Sequence, residues 1–253
     1  MQRRAPSGHP HLPRRKIGVH GSALLGPVSE STDRFLSTVS GLTDAQTGES
    51  TLIPPWTRGH VITHVARAAD SLCRLLEWAR TGVETPQYAS MDARAAEIEA
   101  GAARPVAELI SDVVDSAARF EEAVRSLPGP AWRARIRPRT GELCTPERLV
   151  HARLRELEVH HADLAAGYAF SDVPESAARW IVDDVVGTLS QREGTEALRI
   201  EATDVDLTRE IGTGGPVITG RLGDLLAWVS GRSRGSALTV SGANAVPRAP
   251  YWI

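Results

Sequence analysis

Arg153-Leu154-Arg155-Glu156-Leu157-Glu158-Val159-His160-His161-Ala162-Asp163-Leu164 reads as helix and carries two glutamates and two histidines within two turns of one another. On a helix, residues four apart stack on one face, so Glu156 and His160 can hold a single metal ion between them. Two ligands are too few for a useful site. A third must come from another element, and Gly59-His60-Val61-Ile62-Thr63-His64-Val65 supplies the best candidate in His64. Spacing alone leaves other pairings open: Glu158 with His161, three apart, and His60 with His64, four apart. His161 also lies nearer the apolar stripe than His160. What periodicity does establish is concentration, since half of the chain's 8 histidines fall in these two short stretches.

Working outward, Thr145-Pro146-Glu147 opens this helix with proline near its first position, and Gly167 follows its end at Ala166. Three further long helices precede it. Ser29 to Leu42 spaces Phe35, Leu36 and Val39 helically, with Ser29, Ser31 and Thr32 as cap candidates. Trp56 and Thr57 open a second helix, behind Pro54-Pro55, whose stripe of Val61, Val65, Ala68, Leu72 and Leu76 ends before Gly82 and carries His64 near its edge. Val106 to Leu127 is the third, with Leu109, Val113, Ala117, Phe120 and Val124 in register. Between the second and third, Ser90 to Gly101 is polar and alanine-rich and contains Arg94; Trp132 to Leu143 reads as an irregular link. Four long helices predict a bundle, in which sites form from inward side chains of different helices.

Beyond Gly167 the texture changes. Glu175 to Gln191 reads as helix, residues 197–203 and 237–241 alternate as half-buried strands, and a helix over 220–230 lies between them. Residues 216–219 read as an edge strand, after a turn marked by Gly212, Gly214 and Gly215. The expected organisation is mainly α with a C-terminal α/β domain: a flexible extension over 1–22 or the product of an early start codon, a helical bundle over 23–168, and a small mixed α/β domain over 169–253.

Composition fits a soluble globular protein: 253 residues, 42% hydrophobic and 24% charged. A net charge of -2 gives no electrostatic footprint for nucleic acid or an anionic membrane, so the expected partner is a small molecule or another protein. Cys73 and Cys144, both in helix-like contexts, offer no disulfide framework, as in a reducing cytosol. Arg14-Arg15-Lys16 before Ala23-Leu24-Leu25 is too interrupted for a secretion signal, and no apolar run is long enough for a membrane span. A cytoplasmic location is expected.

In combination, Trp56-Thr57-Arg58-Gly59-His60-Val61-Ile62-Thr63-His64-Val65-Ala66-Arg67, then Arg94 within Ala93-Arg94-Ala95-Ala96-Glu97-Ile98-Glu99, then Arg153 to Leu164, and finally Leu225-Leu226-Ala227-Trp228-Val229-Ser230-Gly231-Arg232 resemble the mycothiol-dependent maleylpyruvate isomerase family, from about residue 28 to about residue 242. The resemblance implies a DinB-like four-helix bundle binding a divalent metal, usually zinc, and a smaller C-terminal domain closing over it. Matched by motif, the ligands become His64, Glu156 and His160, with His60, Glu158 and His161 behind them or at the surface. Asp163 would orient an imidazole or stand as a solvated charge. Arg94 matches an arginine near thiol and substrate, and Arg232 or Arg234 an anion-binding arginine from the C-terminal domain.

Three protein ligands leave one tetrahedral position open, as in catalytic zinc sites. A thiol entering it loses its proton near neutral pH, and the thiolate is the nucleophile. The implied chemistry is addition of the mycothiol thiolate to the cis double bond of maleylpyruvate, rotation, and expulsion of the thiol to leave fumarylpyruvate. Arginines suit the substrate carboxylates, which guanidinium pairs bidentately. The same site without the elimination step is a mycothiol S-transferase, conjugating an electrophile in detoxification or natural-product biosynthesis. A non-catalytic binding module is a third reading, against which the retention of all three ligand positions argues.

Overall fold

The computed structural model describes residues 19–249. The expected flexible extension therefore falls outside the described residues up to 18 and is corrected after that, because helix α1 spans Val19–Ser40. The reason lies in the apolar stripe, which reaches back from Phe35 through Val28 and Leu25, both almost fully buried. Pro27 is accommodated inside the helix, and the expected caps Ser29, Ser31 and Thr32 lie well within it.

A short α2 (Asp44–Thr47) leads to α3 (Arg58–Thr81), followed by α4 (Met91–Ala102), α5 (Val106–Arg125) and α6 (Pro146–Asp163). The long helices form a closed ring: α1 packs on α5 and α6, and α3 packs on the same two. Each contributes residues recurring every three or four positions, such as Val61, Val65, Leu72 and Leu75 from α3 and Leu109, Val113 and Phe120 from α5, all nearly solvent-free. Burying each such side chain contributes roughly 1.5–3 kcal/mol, so the ring is held by this shared interior rather than by propensity. Arg153 of α6 is also fully buried; its Nη1 donates to the Val65 carbonyl of α3 at 2.7 Å, and burial pulls its guanidinium down to about 10.

α4, the alanine-rich stretch around Arg94, stands outside the ring and packs against α3. Two glycines make the approach possible. A Cβ on Gly59 would lie 2.0 Å from the Ala102 carbonyl oxygen, and one on Gly101 would lie 2.4 Å from Cγ2 of Thr63. Gly59→Ala therefore forces the helices apart, with an expected loss of about 1–3 kcal/mol. A thermal melt should show a drop of several degrees; an unchanged midpoint would mean that the contact is not tight.

The expected irregular link after α5 contains a 3₁₀ turn (Gly129–Arg133) and one isolated bridge, Ile136 with Cys144. Cys144 thus sits in extended backbone and not in the helix-like context expected; both cysteines are free. After a second 3₁₀ turn (Phe170–Asp172) come α7 (Glu175–Ser190), β1 (Leu198–Ala202), β2 (Thr208–Ile211), β3 (Val217–Gly220), α8 (Leu222–Val229) and β4 (Thr239–Ser241). The strand order is β2-β1-β3-β4, with β1 and β3 parallel and the outer pairs antiparallel. Leu198, Ile200, Ile211 and Ile218 are buried, and α7 and α8 pack against the sheet. The expected edge strand over 216–219 is instead interior, because β4 pairs on its free side with Val240 opposite Ile218. The edges are β2 and β4, and the exposed Thr208 and Glu210 of β2 conceal its period. No helix among the described residues is long and apolar enough to cross a membrane.

Candidate functional site

α6 feeds two faces of the bundle. At about 100° per residue, positions 156 and 160 lie near one another around the axis while 158 and 161 fall on the far side. The first face meets α3. There Nε2 of His64 lies 3.1 Å from Oε2 of Glu156 and 3.0 Å from Nε2 of His160, with 3.4 Å between Glu156 and His160. One donor atom from each residue lies within 4.8 Å of the others.

The donor chemistry fits a small divalent cation. Bonds of about 2.0–2.1 Å in a tetrahedral site put ligand atoms about 3.3 Å apart, close to the spacings found. Nδ1 of His160 donates to Oδ2 of Asp163 at 2.8 Å, so in the neutral ring it is Nε2 that carries the lone pair. Asp163 is fully buried and is also gripped by Nε and Nη2 of Arg232 at 3.1 and 3.0 Å. The alternative of a solvated charge is thereby removed.

Burial opposes charge throughout this cluster, and the hydrogen bonds decide which groups keep it. At Glu156, burial is outweighed by the bonds from His160 and His64, and the carboxyl sits well below its ordinary value. At Asp163, burial is likewise outweighed by His160 and Arg232, and the carboxyl is lowered. His64 is pushed down to about 4, by burial first and by the neighbouring His160 second. His160 is raised because Asp163 and Glu156 outweigh its burial.

His64, Glu156 and His160 line a cavity of about 430 Å³. Arg94 reaches it from α4, with Nη2 3.2 Å from Nδ1 of His64 and its guanidinium carbon 5.9 Å from the Trp56 ring and 5.7 Å from the Tyr88 ring. Trp56 also leans on His64, ring centres 5.3 Å apart. Arg139, Arg148, Arg155 and Arg232 complete the lining arginines, against only Glu142 and Glu156 among lining acids. Arg148, Arg155 and Arg232 are shared with Asp184 and the buried Asp163, and the remaining excess of arginine over acid at the wall suits an anionic ligand.

The remaining expected residues are sorted by position. Arg232 enters the cavity; Arg234 is exposed and does not line it. The backbone explains the difference. Gly231 turns the chain with φ 79° after α8, and the N–H groups of Arg232 and Ser233 both bond the Ala227 carbonyl, pinning Arg232 against the helix end. His60 accepts from the Thr57 N–H at Nδ1 and faces Glu99 of α4 through Nε2, so it serves the start of α3. Glu158 and His161, expected behind the ligands or at the surface, are corrected: both are buried on the opposite face, toward α1. Glu158 is paired with Arg34 at 2.6 Å and with the Tyr168 hydroxyl at 2.5 Å. His161 is bonded to Thr38 at 2.7 Å and stacked on Tyr168 with ring centres 3.7 Å apart. A buried carboxylate needs a counter-charge close at hand, and Arg34 of α1 supplies it.

Tyr88, Arg148 and Arg155 belong to the cavity wall without any signal in the sequence, since nothing local distinguishes them from ordinary surface residues.

The family model described as the mycothiol maleylpyruvate isomerase N-terminal domain matches residues 28–165. Two solved structures are similar to nearly the whole chain: a crystal structure of the mycothiol-dependent maleylpyruvate isomerase and one of a mutant of it in which a histidine is replaced by alanine. Each has 30% sequence identity and a TM-score of 0.82, and the match covers 92% of this chain and 97% of the other. A comparison with curated proteins finds no match.

Proposed function

Since the chain belongs to the mycothiol maleylpyruvate isomerase family, we propose that His64, Glu156 and His160 hold a divalent metal, with zinc the expected ion, and that the enzyme uses mycothiol to convert maleylpyruvate to fumarylpyruvate. The observation that carries this reading is the convergence of the three donor atoms at the wall of an arginine-rich cavity. The metal, when bound, supplies a Lewis acid that stabilises a thiolate near neutral pH.

The chain's own groups do the rest. Glu156, held ionised, and the two imidazoles present lone pairs to the cation, and Asp163 keeps His160 in the tautomer that can do so. When Nε2 of His64 is engaged, its ring proton lies on Nδ1. Arg94, which can only donate, then gives up that contact and is available to a substrate carboxylate. Arg232 spends three bonds inside the protein, two on Asp163 and one on the Ser230 carbonyl, and offers its remaining N–H groups to the cavity. Two guanidiniums on one substrate suit a dianionic acid whose negative charge grows during addition.

A second reading is conjugation of mycothiol to a larger electrophile. The apolar side chains on the cavity wall favour it: Pro54, Pro55, Leu72 and the half-exposed Met91 make a surface that a small dicarboxylate does not need. Incubating the purified enzyme with mycothiol and maleylpyruvate, and separately with a panel of electrophiles, tells the two apart by product mass. Isomerisation leaves mass unchanged and converts cis to trans; conjugation adds the thiol. An enzyme fully loaded with metal that does neither would sink both readings. A cytoplasmic location goes with either.

A further inference from the structure

Both metal-facing residues of α6 have a second polar atom that looks away from the centre. Each is held by charges tied to the C-terminal layer. At His160, Nδ1 is held by Asp163 and Asp163 by Arg232, beyond α8. At Glu156, Oε2 faces the histidines while Oε1 lies 3.3 Å from Nη2 of Arg155. Nη1 of Arg155 donates to Oδ2 of Asp184 on α7 at 2.5 Å. The other oxygen of Asp184 takes Nη2 and Nε of Arg148 at 2.6 and 3.1 Å. With its side chain 5% exposed and both oxygens engaged, Asp184 is a fixed point.

We propose that Asp184 is a positioning residue for the metal centre: by holding Arg155 it holds Oε1 of Glu156, and so keeps Oε2 presented to the cation. The inference rests on the metal reading above. The terminal torsion of a glutamate is broad, so a carboxylate with one oxygen restrained offers the other in a defined direction, and one without restraint does not. Asp184 never touches the metal. Its loss acts in one direction for two reasons: Glu156 is held less firmly, and the Arg155 cation beside the site loses its counter-charge. The C-terminal layer thereby shapes the metal centre itself, besides walling the cavity.

The test is zinc affinity of the metal-stripped full chain, measured by competition with a chromophoric chelator, with circular dichroism on each variant. Asp184→Asn should bind zinc about tenfold more weakly or worse, the usual effect of losing a group that orients a ligand. Asp184→Glu should recover most of the affinity. Asp183→Asn removes the same charge one residue away, breaking only the surface pair with Arg209, and should match the unmodified chain. If Asp184→Asn does not fold, Arg155→Lys serves: it keeps the positive charge but loses the planar fork whose Nη1 and Nη2 reach Asp184 and Glu156 separately, and should also weaken binding about tenfold. Asp184→Asn or Arg155→Lys folded and within twofold of the unmodified chain overturns the inference, as does an equal loss in Asp183→Asn. An unmodified chain that binds no stoichiometric zinc overturns the metal reading, and the inference with it.

Discussion

Replacing His64 or Glu156 by alanine is expected to leave a folded protein that purifies without its divalent metal and turns over at least about 10³-fold more slowly. The size follows from the chemistry. A metal that polarises a reacting group supplies several kcal/mol of transition-state stabilisation, and each 1.4 kcal/mol is about tenfold in rate. Two remaining donors cannot hold the ion at ordinary concentrations. The fold should survive because the interior is carried by apolar side chains such as Val65, Leu72, Leu149 and Leu157, while the three donors sit at the cavity wall. Elemental analysis decides the matter before any assay. Full metal content in either variant would count against the ligand set.

Arg232→Met should produce the second large effect, this time on stability and turnover together. Asp163 is fully buried, and its carboxylate is shared between His160 and the fork of Arg232. Removing one partner of a buried pair leaves charge without compensation, at about 3 kcal/mol. For a chain of this size that is a fall in melting midpoint of roughly 6–12 °C. The cavity also loses one of its lining guanidiniums, so KM for an acidic substrate should rise. Arg234→Met gives the contrast: an exposed side chain outside the cavity, whose loss should stay within about 0.5 kcal/mol. Equal effects from the two substitutions would show that the bond between Arg232 and Asp163 does not matter.

Much of the helical part is legible in the sequence because helix formation and its spacings are local. The stripes of α3 and α5 mark their core faces directly, and prolines and glycines mark most of their ends. The start of α1 and the whole of β2 escape a reading of the chain for identifiable reasons. Pro27 and the run of hydroxyl residues after it imitate a helix start, whereas burial of Leu25 and Val28 against the bundle carries the helix further back. β2 is a short edge strand with two exposed positions, so alternation has almost nothing to register. β3 reads as an edge because three residues of β4 that make it interior come from about twenty positions later.

At the site, the chain alone determined that Glu156 and His160 share a face, and that Glu158 and His161 share another, because both follow from the pitch of one helix. It did not determine which face gathers a third donor. That depended on packing: α3 brings His64 to the first pair across 92 and 96 positions, while α1 brings Arg34 and Thr38 to the second across 124 and 123. The choice of Arg232 over Arg234, the docking of α4 through Gly59 and Gly101, and the bond between Arg155 and Asp184 beside Glu156 were likewise tertiary outcomes. A side chain's spacing is set by its own helix, but its partners, its burial and hence its charge are set by whatever the fold lays against it.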